Sequence, residues 1–261
     1  RRTDPRRRSL LRLHRGQRFE LRRGAEGVSA AVSDMGGRPV SLSIVVPMVD
    51  EAATLPELLT HLAAWRDRGC EIVLVDGGSR DDSVAIARAA GFRVMVAERG
   101  RARQMNAGAA ACGGDILLFL HADTRLPEDA DATLRAVQAG HAWGRFDVRI
   151  DGRPRMLRVV AALMNLRSRS SGIATGDQAI FVRREVFGPV GGFPDQPLME
   201  DIELSRRLLR VSRPACLRAR VRTSGRRWEQ RGVWRTIVLM WRLRWAYWRG
   251  VPAERLAEAY R

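Results

Sequence analysis

Asp115-Ile116-Leu117-Leu118-Phe119-Leu120-His121-Ala122-Asp123 is the stretch of this 261-residue chain that decides its fold. An apolar run ends abruptly on a His and an Asp. A short run of this kind reads as a buried strand. The same pattern occurs twice upstream. Ser43-Ile44-Val45-Val46-Pro47 runs into Asp50-Glu51, and Glu71-Ile72-Val73-Leu74-Val75 runs into Asp76-Gly77-Gly78-Ser79. Helical segments lie between these runs. Thr54-Leu55-Pro56-Glu57 reads as a capping box opening a helix that runs to about Arg66. Ser79-Arg80-Asp81-Asp82 reads as the cap of a helix through Ala90, ended by Gly91. A strand over Phe92 to Val96 and a helix over Arg101 to Ala111 complete the series. This alternation predicts an α/β fold: a Rossmann-like, mostly parallel central sheet with helices on both faces.

In such a sheet, ligands bind beyond the carboxyl ends of the strands. Three acidic sites at three such ends are therefore expected to meet in one cleft. Carboxylates there suit a divalent metal, a ribose hydroxyl and a proton to be removed. That equipment fits transfer of a group from a metal-bound nucleoside diphosphate.

The rest of the chain extends this frame. A helix after Pro127, a strand over Trp143 to Ile150, a helix over Arg155 to Arg167 and a strand over Gln178 to Val182 are expected. Gly191-Gly192-Phe193 reads as a tight turn ahead of a helix opened by Met199-Glu200-Asp201-Ile202-Glu203-Leu204. Residues 1–38 read as a basic extension without a fold of its own, 39–228 as the catalytic domain and 229–261 as an amphipathic helical segment. Met35 is the first Met, and 1–34 read as a disordered extension that can lie upstream of a natural start, with a basic arm contacting membrane or RNA as the alternative.

A formal charge of +17 invites a nucleic-acid reading, but its make-up argues against one. All 46 basic residues are Arg, an exclusion that biased codon usage explains better than a binding surface does. The ends carry the excess. Residues 1–38 hold 11 Arg against 4 acids and residues 218–261 hold 12 against 3, so the span between is nearly neutral. Cationic ends fit an anionic membrane surface at least as well. In the last segment Trp234, Ile237, Trp241, Trp245 and Trp248 recur at helical spacing, with Arg235, Arg242 and Arg249 on another face. Aromatic residues beside Arg suit a membrane interface. A helix packed on the catalytic domain with Arg facing water explains them equally well, and both can hold. No stretch approaches the ~20 apolar residues of a membrane span. Cys70, Cys112 and Cys216 are odd in number and widely spaced, as expected of reduced thiols in a cytosolic protein.

Individual residues sharpen the chemistry. Asp76, before Gly-Gly-Ser, can accept from a ribose or base; alone it would read as a turn residue. Asp123 is the candidate ligand for Mg²⁺ or Mn²⁺, which would hold a diphosphate. His121 can touch metal, ribose or sugar. Gly100-Arg101-Ala102-Arg103-Gln104-Met105-Asn106-Ala107-Gly108 opens a helix whose amides, with Arg101 and Arg103, are expected to form an anion site. Asp201, ahead of Glu200, is the candidate general base at a helix start that favours its ionised form. Arg227 and Trp228 can close over the diphosphate or the acceptor, and Gly176-Asp177-Gln178 mark an acceptor cleft.

These residues resemble the family-2 glycosyltransferases of the GT-A fold. Val45-Val46-Pro47 with Asp50-Glu51 resembles their opening strand, and Val75-Asp76-Gly77-Gly78-Ser79 their nucleotide-binding Asp motif. Ala102 to Gly108, with Gln104 and Asn106, resembles their Ala-x-Asn-x-Gly helix start. Ala122-Asp123 is similar to the second half of their Asp-x-Asp metal motif. Gly191-Gly192-Phe193 with Glu200-Asp201 resembles their acceptor-side motif. The finer pattern is similar to a bacterial subgroup related to diaponeurosporenoate glycosyltransferases. His121 replaces the first Asp of the metal motif, and Asp50 replaces an Asn. Thr223-Ser224-Gly225-Arg226-Arg227-Trp228 lacks the Gln of the processive members' Gln-x-x-Arg-Trp. The resemblance implies an inverting transferase using a nucleoside-diphosphate sugar, by default UDP-linked. It implies that Pro47, Glu51, Asp76, Ser79, Arg101, Gln104, Asn106, His121 and Ala122 bind the donor. The acceptor hydroxyl or carboxyl is expected to be lipid-linked or carotenoid-like, and the protein peripheral at the inner face of the cell membrane. The rivals are a nucleotidyltransferase on the same sheet and a non-catalytic basic protein binding membrane or RNA.

Overall fold

The computed structural model describes residues 40–128 and 131–260. The expected basic extension, 1–38, lies outside the described residues. Strand β1 (Leu42–Met48) is buried along its whole length. Helix α1 (Leu55–Asp67) leads to β2 (Glu71–Asp76), α2 (Ser83–Ala89) to β3 (Arg93–Val96), and α3 (Arg101–Ala111) to β4 (Ile116–Phe119). All four strands are parallel, in the order β3-β2-β1-β4. The chain therefore moves outward from β1 to β3 and then crosses back to place β4 on the other side of β1. That reversal opens a crevice at the carboxyl ends of β1 and β4, where α/β sheets bind ligands.

Beyond β4 the sheet becomes mixed. After β5 (Thr124–Arg125) and α4 (Asp131–Gln138) come β6 (Trp143–Asp151), α5 (Met156–Ser171) and β7 (Phe181–Arg183). β7 is antiparallel to both β4 and β6. After the single turn α6 (Arg184–Phe187) and α7 (Glu200–Leu208), β8 (Ala215–Ser224) joins parallel to β6 and carries β5 at the sheet edge. The helices α8 (Arg226–Arg231), α9 (Val233–Trp248) and α10 (Ala253–Tyr260) follow.

The core forms where alternate strand residues meet the helices. Ile44, Val46, Leu74 and Leu118 pack with Leu55, Leu58, Leu62 and Trp65 of α1. α3 lies close enough to the sheet that a Cβ on Gly108 would sit 2.4 Å from Val45 Cγ1. A smaller cluster of Leu198, Met199, Ile202, Leu243 and Leu256 joins α9 and α10 to α7.

Several expectations shift. The expected capping box at Thr54 is absent: its hydroxyl donates to Glu51 Oε2 at 2.6 Å and accepts from no helix N–H. The expected strand 178–182 begins at Phe181, and Gly176–Gln178 forms a 3₁₀ turn. β8 lies in a stretch read only as cationic. Its Leu-Arg-Ala-Arg-Val-Arg alternation has the period of a strand, with Arg218, Arg220 and Arg222 outward. α8 runs across the expected boundary at 228. In α9, Thr236 and Leu243 face inward and Ile237 packs on the core, while Trp234, Trp241, Trp245 and Trp248 stay exposed.

Candidate functional site

The site is organised around one guanidinium. Arg101 is the first residue of α3, and its Nε lies 3.2 Å from Oε1 of Glu200, the first residue of α7. Glu200 raises the Arg101 pKa most, with Asp201, Asp177 and Asp123 adding to it. Four carboxylates from three parts of the chain thus act on one cation, and Glu200 is the one that pairs with it. Glu200 is buried, and burial pushes its carboxyl pKa upward; neighbouring Asp201 adds to this, against the pull of Arg101. Met199, which precedes it, adopts a left-handed backbone (φ 65°), a conformation costing roughly 1–3 kcal/mol at a non-glycine residue.

Asp201 is held by two backbone donors. Gly176 N donates to its Oδ2 at 2.9 Å and Ile202 N to its Oδ1 at 2.7 Å. Gly176 also admits His121, since a Cβ there would lie 2.3 Å from His121 Nε2. His121 Nδ1 lies 3.3 Å from Asp177 Oδ1, while its buried Nε2 has no hydrogen-bond partner. Burial opposes ionisation of Asp177, but the hydrogen bond and charge of His121, with Arg101 and Arg227, outweigh it and lower the pKa.

These groups line the inner end of a cavity of about 1050 Å³. Its outer walls are apolar residues of α5 and α9, among them Leu163, Leu166, Trp241 and Trp245. Arg227 and Trp228 also border it, and the Arg227 guanidinium lies 4.9 Å over the Tyr260 ring. Pro47, Glu51, Asp76, Ser79, Ala122 and Asp123 are not part of its lining.

The expected meeting of three acidic strand ends is only partly realised. Asp123 joins the Arg101 group, but the other two ends interlock with each other. Buried Asp76 accepts from Gly78 N and from Ser79 N and Oγ, so it organises its own turn. Ser79 Oγ also accepts from Asp50 N, and Glu51 N donates to Ser83 Oγ. Glu51's carboxylate is engaged by Thr54. Pro47 pairs with Val75 inside the sheet, and Ala122 is buried with its carbonyl accepting from Arg125.

Three residues expected to contact ligand are struts. Buried Gln104 donates through Nε2 to Met48 O at 3.0 Å and Val75 O at 2.8 Å, tying α3 to β1 and β2. Asn106 donates to Phe193 O at 2.8 Å and accepts from Phe193 N at 3.0 Å, clamping α3 to the Gly-Gly-Phe turn. Gln178 is fully buried and its Oε1 accepts from Thr175 N. In each case the amide is spent on backbone groups of the fold itself.

Sequence reasoning passed over the wall behind the cavity. Asn165 of α5 exchanges two hydrogen bonds with Val148 of β6, at 2.9 and 3.0 Å. Asp147 of β6 takes both Arg145 and Arg169. Arg167 lines the cavity beside them, its Nε and Nη2 buried without partners. Arg is so frequent in this chain that no local signal distinguished these.

Among the described residues no group of three His, Cys, Asp or Glu side chains could hold a metal by itself. Asp123 is half-buried, and the one hydrogen bond described for its carboxylate is a long one from Thr124, 3.3 Å. One carboxylate suits Mg²⁺ when substrate phosphates and water complete the shell, the usual mode for that ion.

The sequence pattern of glycosyl transferase family 2 matches residues 43–187. The chain belongs to this family. Its fold agrees. S. aureus TarS 1-349, solved in complex with UDP-GlcNAc, superposes with a TM-score of 0.57 at 18% identity, covering 70% of this chain and 58% of that one. Glucosyl-3-phosphoglycerate synthase from Mycobacterium tuberculosis, solved with Mg²⁺ and UDP, gives 0.52 at 20% identity over 75% and 73%. An undecaprenyl-phosphate 4-deoxy-4-formamido-L-arabinose transferase of Pseudomonas syringae pv. syringae is 31% identical over 168 residues, 54% of this chain and 46% of the relative. Its counterpart in Pseudomonas paraeruginosa is 36% identical over 161 residues, 56% and 47%. The chain thus spans less than half the length of these relatives.

Proposed function

We propose that this glycosyltransferase moves a sugar, with inversion, from a UDP-linked donor to a lipid-linked acceptor at a membrane surface. The observation carrying this reading is the cavity that joins the carboxylates of α7 to apolar walls on α5 and α9. Among the described residues, every exposed large apolar side chain except Val96 lies on those two helices. A patch of this kind marks an interaction site. No acid occurs between Glu229 and Glu254, while Arg231, Arg235, Arg242, Arg244 and Arg249 do. Trp and Arg on one helix suit an anionic interface, where each cation contributes about 1 kcal/mol. No described helix is long and apolar enough to cross a membrane. The relatives' lipid-phosphate acceptor, undecaprenyl phosphate, supports the same reading.

In the proposed reaction, Asp123 would hold Mg²⁺ or Mn²⁺, which would bind the donor diphosphate. The ion would neutralise charge building on the leaving group. Arg101 adds a fixed positive charge at the same place. The donor base and ribose rest at the ends of β1 and β2, where Asp76 shapes the turn that receives them. Asp201, aimed by Gly176 N and Ile202 N, faces the acceptor and takes its proton where it carries one. Glu200, paired with Arg101, keeps that cation in position. The acceptor oxygen attacks the anomeric carbon opposite the departing diphosphate. Calorimetric titration with UDP in the presence and absence of Mn²⁺ tests the donor half. Metal-dependent binding lost in Asp123→Asn is expected, and metal-independent binding unchanged by that substitution would overturn the assignment.

A further inference from the structure

We infer that Gln178 is a positioning residue for Asp201, acting through the 3₁₀ turn Gly176–Gln178, with Asn165 of α5 behind it. This rests on the reading of Asp201 as the group that faces the acceptor, and adds what holds that carboxylate in place. Gly176 N donates to Asp201 Oδ2 at 2.9 Å. The turn sets the direction of that N–H, and the turn has little of its own to hold it. It is three residues long, and such short 3₁₀ pieces have poor hydrogen-bond geometry. It runs into buried Ala179, whose backbone is left-handed (φ 46°). A non-glycine residue keeps that conformation only where its surroundings impose it.

Gln178 supplies the constraint. Its side chain is fully buried, and both polar atoms of its amide have partners. Oε1 reaches back to accept from Thr175 N at 3.2 Å, while Gln178 N donates to Thr175 O at 2.8 Å. Thr175 and Gln178 thus close the turn around Gly176. Nε2 donates to Phe146 O of β6 at 3.5 Å and to Asn165 Oδ1 at 3.4 Å. These two bonds are long, but their acceptors are fixed. Phe146 lies in the sheet, and Asn165 is held by its paired bonds to Val148. One amide therefore ties the mount of Asp201 to the wall made by β6 and α5. An apolar side chain would fill the same space without the cost of burying an amide, so the bonds rather than the volume account for glutamine here. The tie matters for chemistry because a general base must lie within hydrogen-bond reach of its proton, and a misplacement of about 1 Å can cost about 10²-fold in rate.

The test reads the Gly176 N–H directly in the full chain. Thr175-Gly176 is the one Thr-Gly pair in the sequence, so ¹³C in Thr carbonyls with ¹⁵N in Gly isolates its amide as a single NMR signal. A proton in a charge-assisted bond to a carboxylate lies downfield, and Asp201→Ala gives its position without that bond. Gln178→Met, of similar length but without the amide, is expected to move the signal upfield to near that position. Asn165→Leu, which leaves Gln178 in place, is expected to move it part of the way. Leu62→Ala lowers stability by opening a cavity under α1 and is expected to leave the signal unmoved. An unmoved signal in folded Gln178→Met would overturn the inference. So would an equal shift in Leu62→Ala, which would trace the change to general loosening. If Gln178→Met does not fold, Asn165→Leu decides on the same terms. UDP binding by the wild type with Mn²⁺ is measured alongside. If UDP binds and the signal ignores both variants, the positioning role fails and glycosyl transfer stands. If the signal responds and UDP does not bind, the mount of Asp201 stands and the donor reading falls.

Discussion

Replacing Asn106 tests whether its side chain is a strut or a ligand contact. Both of its amide atoms meet the backbone of Phe193, a residue 3% exposed, at 2.8 and 3.0 Å. Asn106→Ala leaves a buried N–H and a buried carbonyl unpaired. Each orphaned group costs about 1–3 kcal/mol, so a loss of roughly 2–6 kcal/mol is expected. Asn106→Asp is more discriminating. The carboxylate still accepts from Phe193 N but faces Phe193 O with no proton. Once protonated it can donate there, so its folded-state pKa is raised. The variant's stability is then closest to wild type below the ordinary Asp value and falls as pH rises through the raised one. Urea midpoints at pH 4 and pH 7, with the m-value checked for constancy, measure this directly. Wild-type stability in both variants with UDP affinity lost would refute the clamp and restore Asn106 as a nucleotide contact.

Gly176→Ala should drive a methyl into His121, whose Nε2 would lie 2.3 Å away, costing about 1–3 kcal/mol by overpacking and slowing transfer. Adding His121→Ala should restore the Tm but not the rate, which thermal unfolding and a transfer assay would separate. Glu200 has a raised pKa, so its contribution is fully present below the ordinary value of 4.5 and is lost as pH rises through the raised one. Glu200→Gln should therefore gain stability relative to wild type as pH climbs above that value, and a pH-independent difference in urea midpoints would contradict the shift. Trp241 and Trp245 are 72% and 61% exposed, so changing both to Ser should alter stability by about 0.5 kcal/mol or less. The same change should weaken sedimentation with phosphatidylglycerol vesicles severalfold, and undiminished sedimentation would remove these residues from the membrane face.

Local sequence determined the strand–helix alternation from Leu42 to Phe119, because apolar runs, helix breaks and turn residues act over a few positions. It also marked Asp123 and the Glu200–Asp201 helix start, since chemistry-bearing residues at element ends stand out in one dimension. Tertiary structure alone decided what the polar side chains do. Gln104 and Asn106 have the residue types of ligand contacts, yet each is engaged by backbone that folding brings near. Arg101 and Arg167 looked alike among 46 Arg, and only folding set four carboxylates around one and left two nitrogens of the other buried and unpartnered. The reason is physical: propensity and periodicity depend on neighbours in the chain, whereas the state of a charged or amide group depends on burial and on partners that arrive from distant elements.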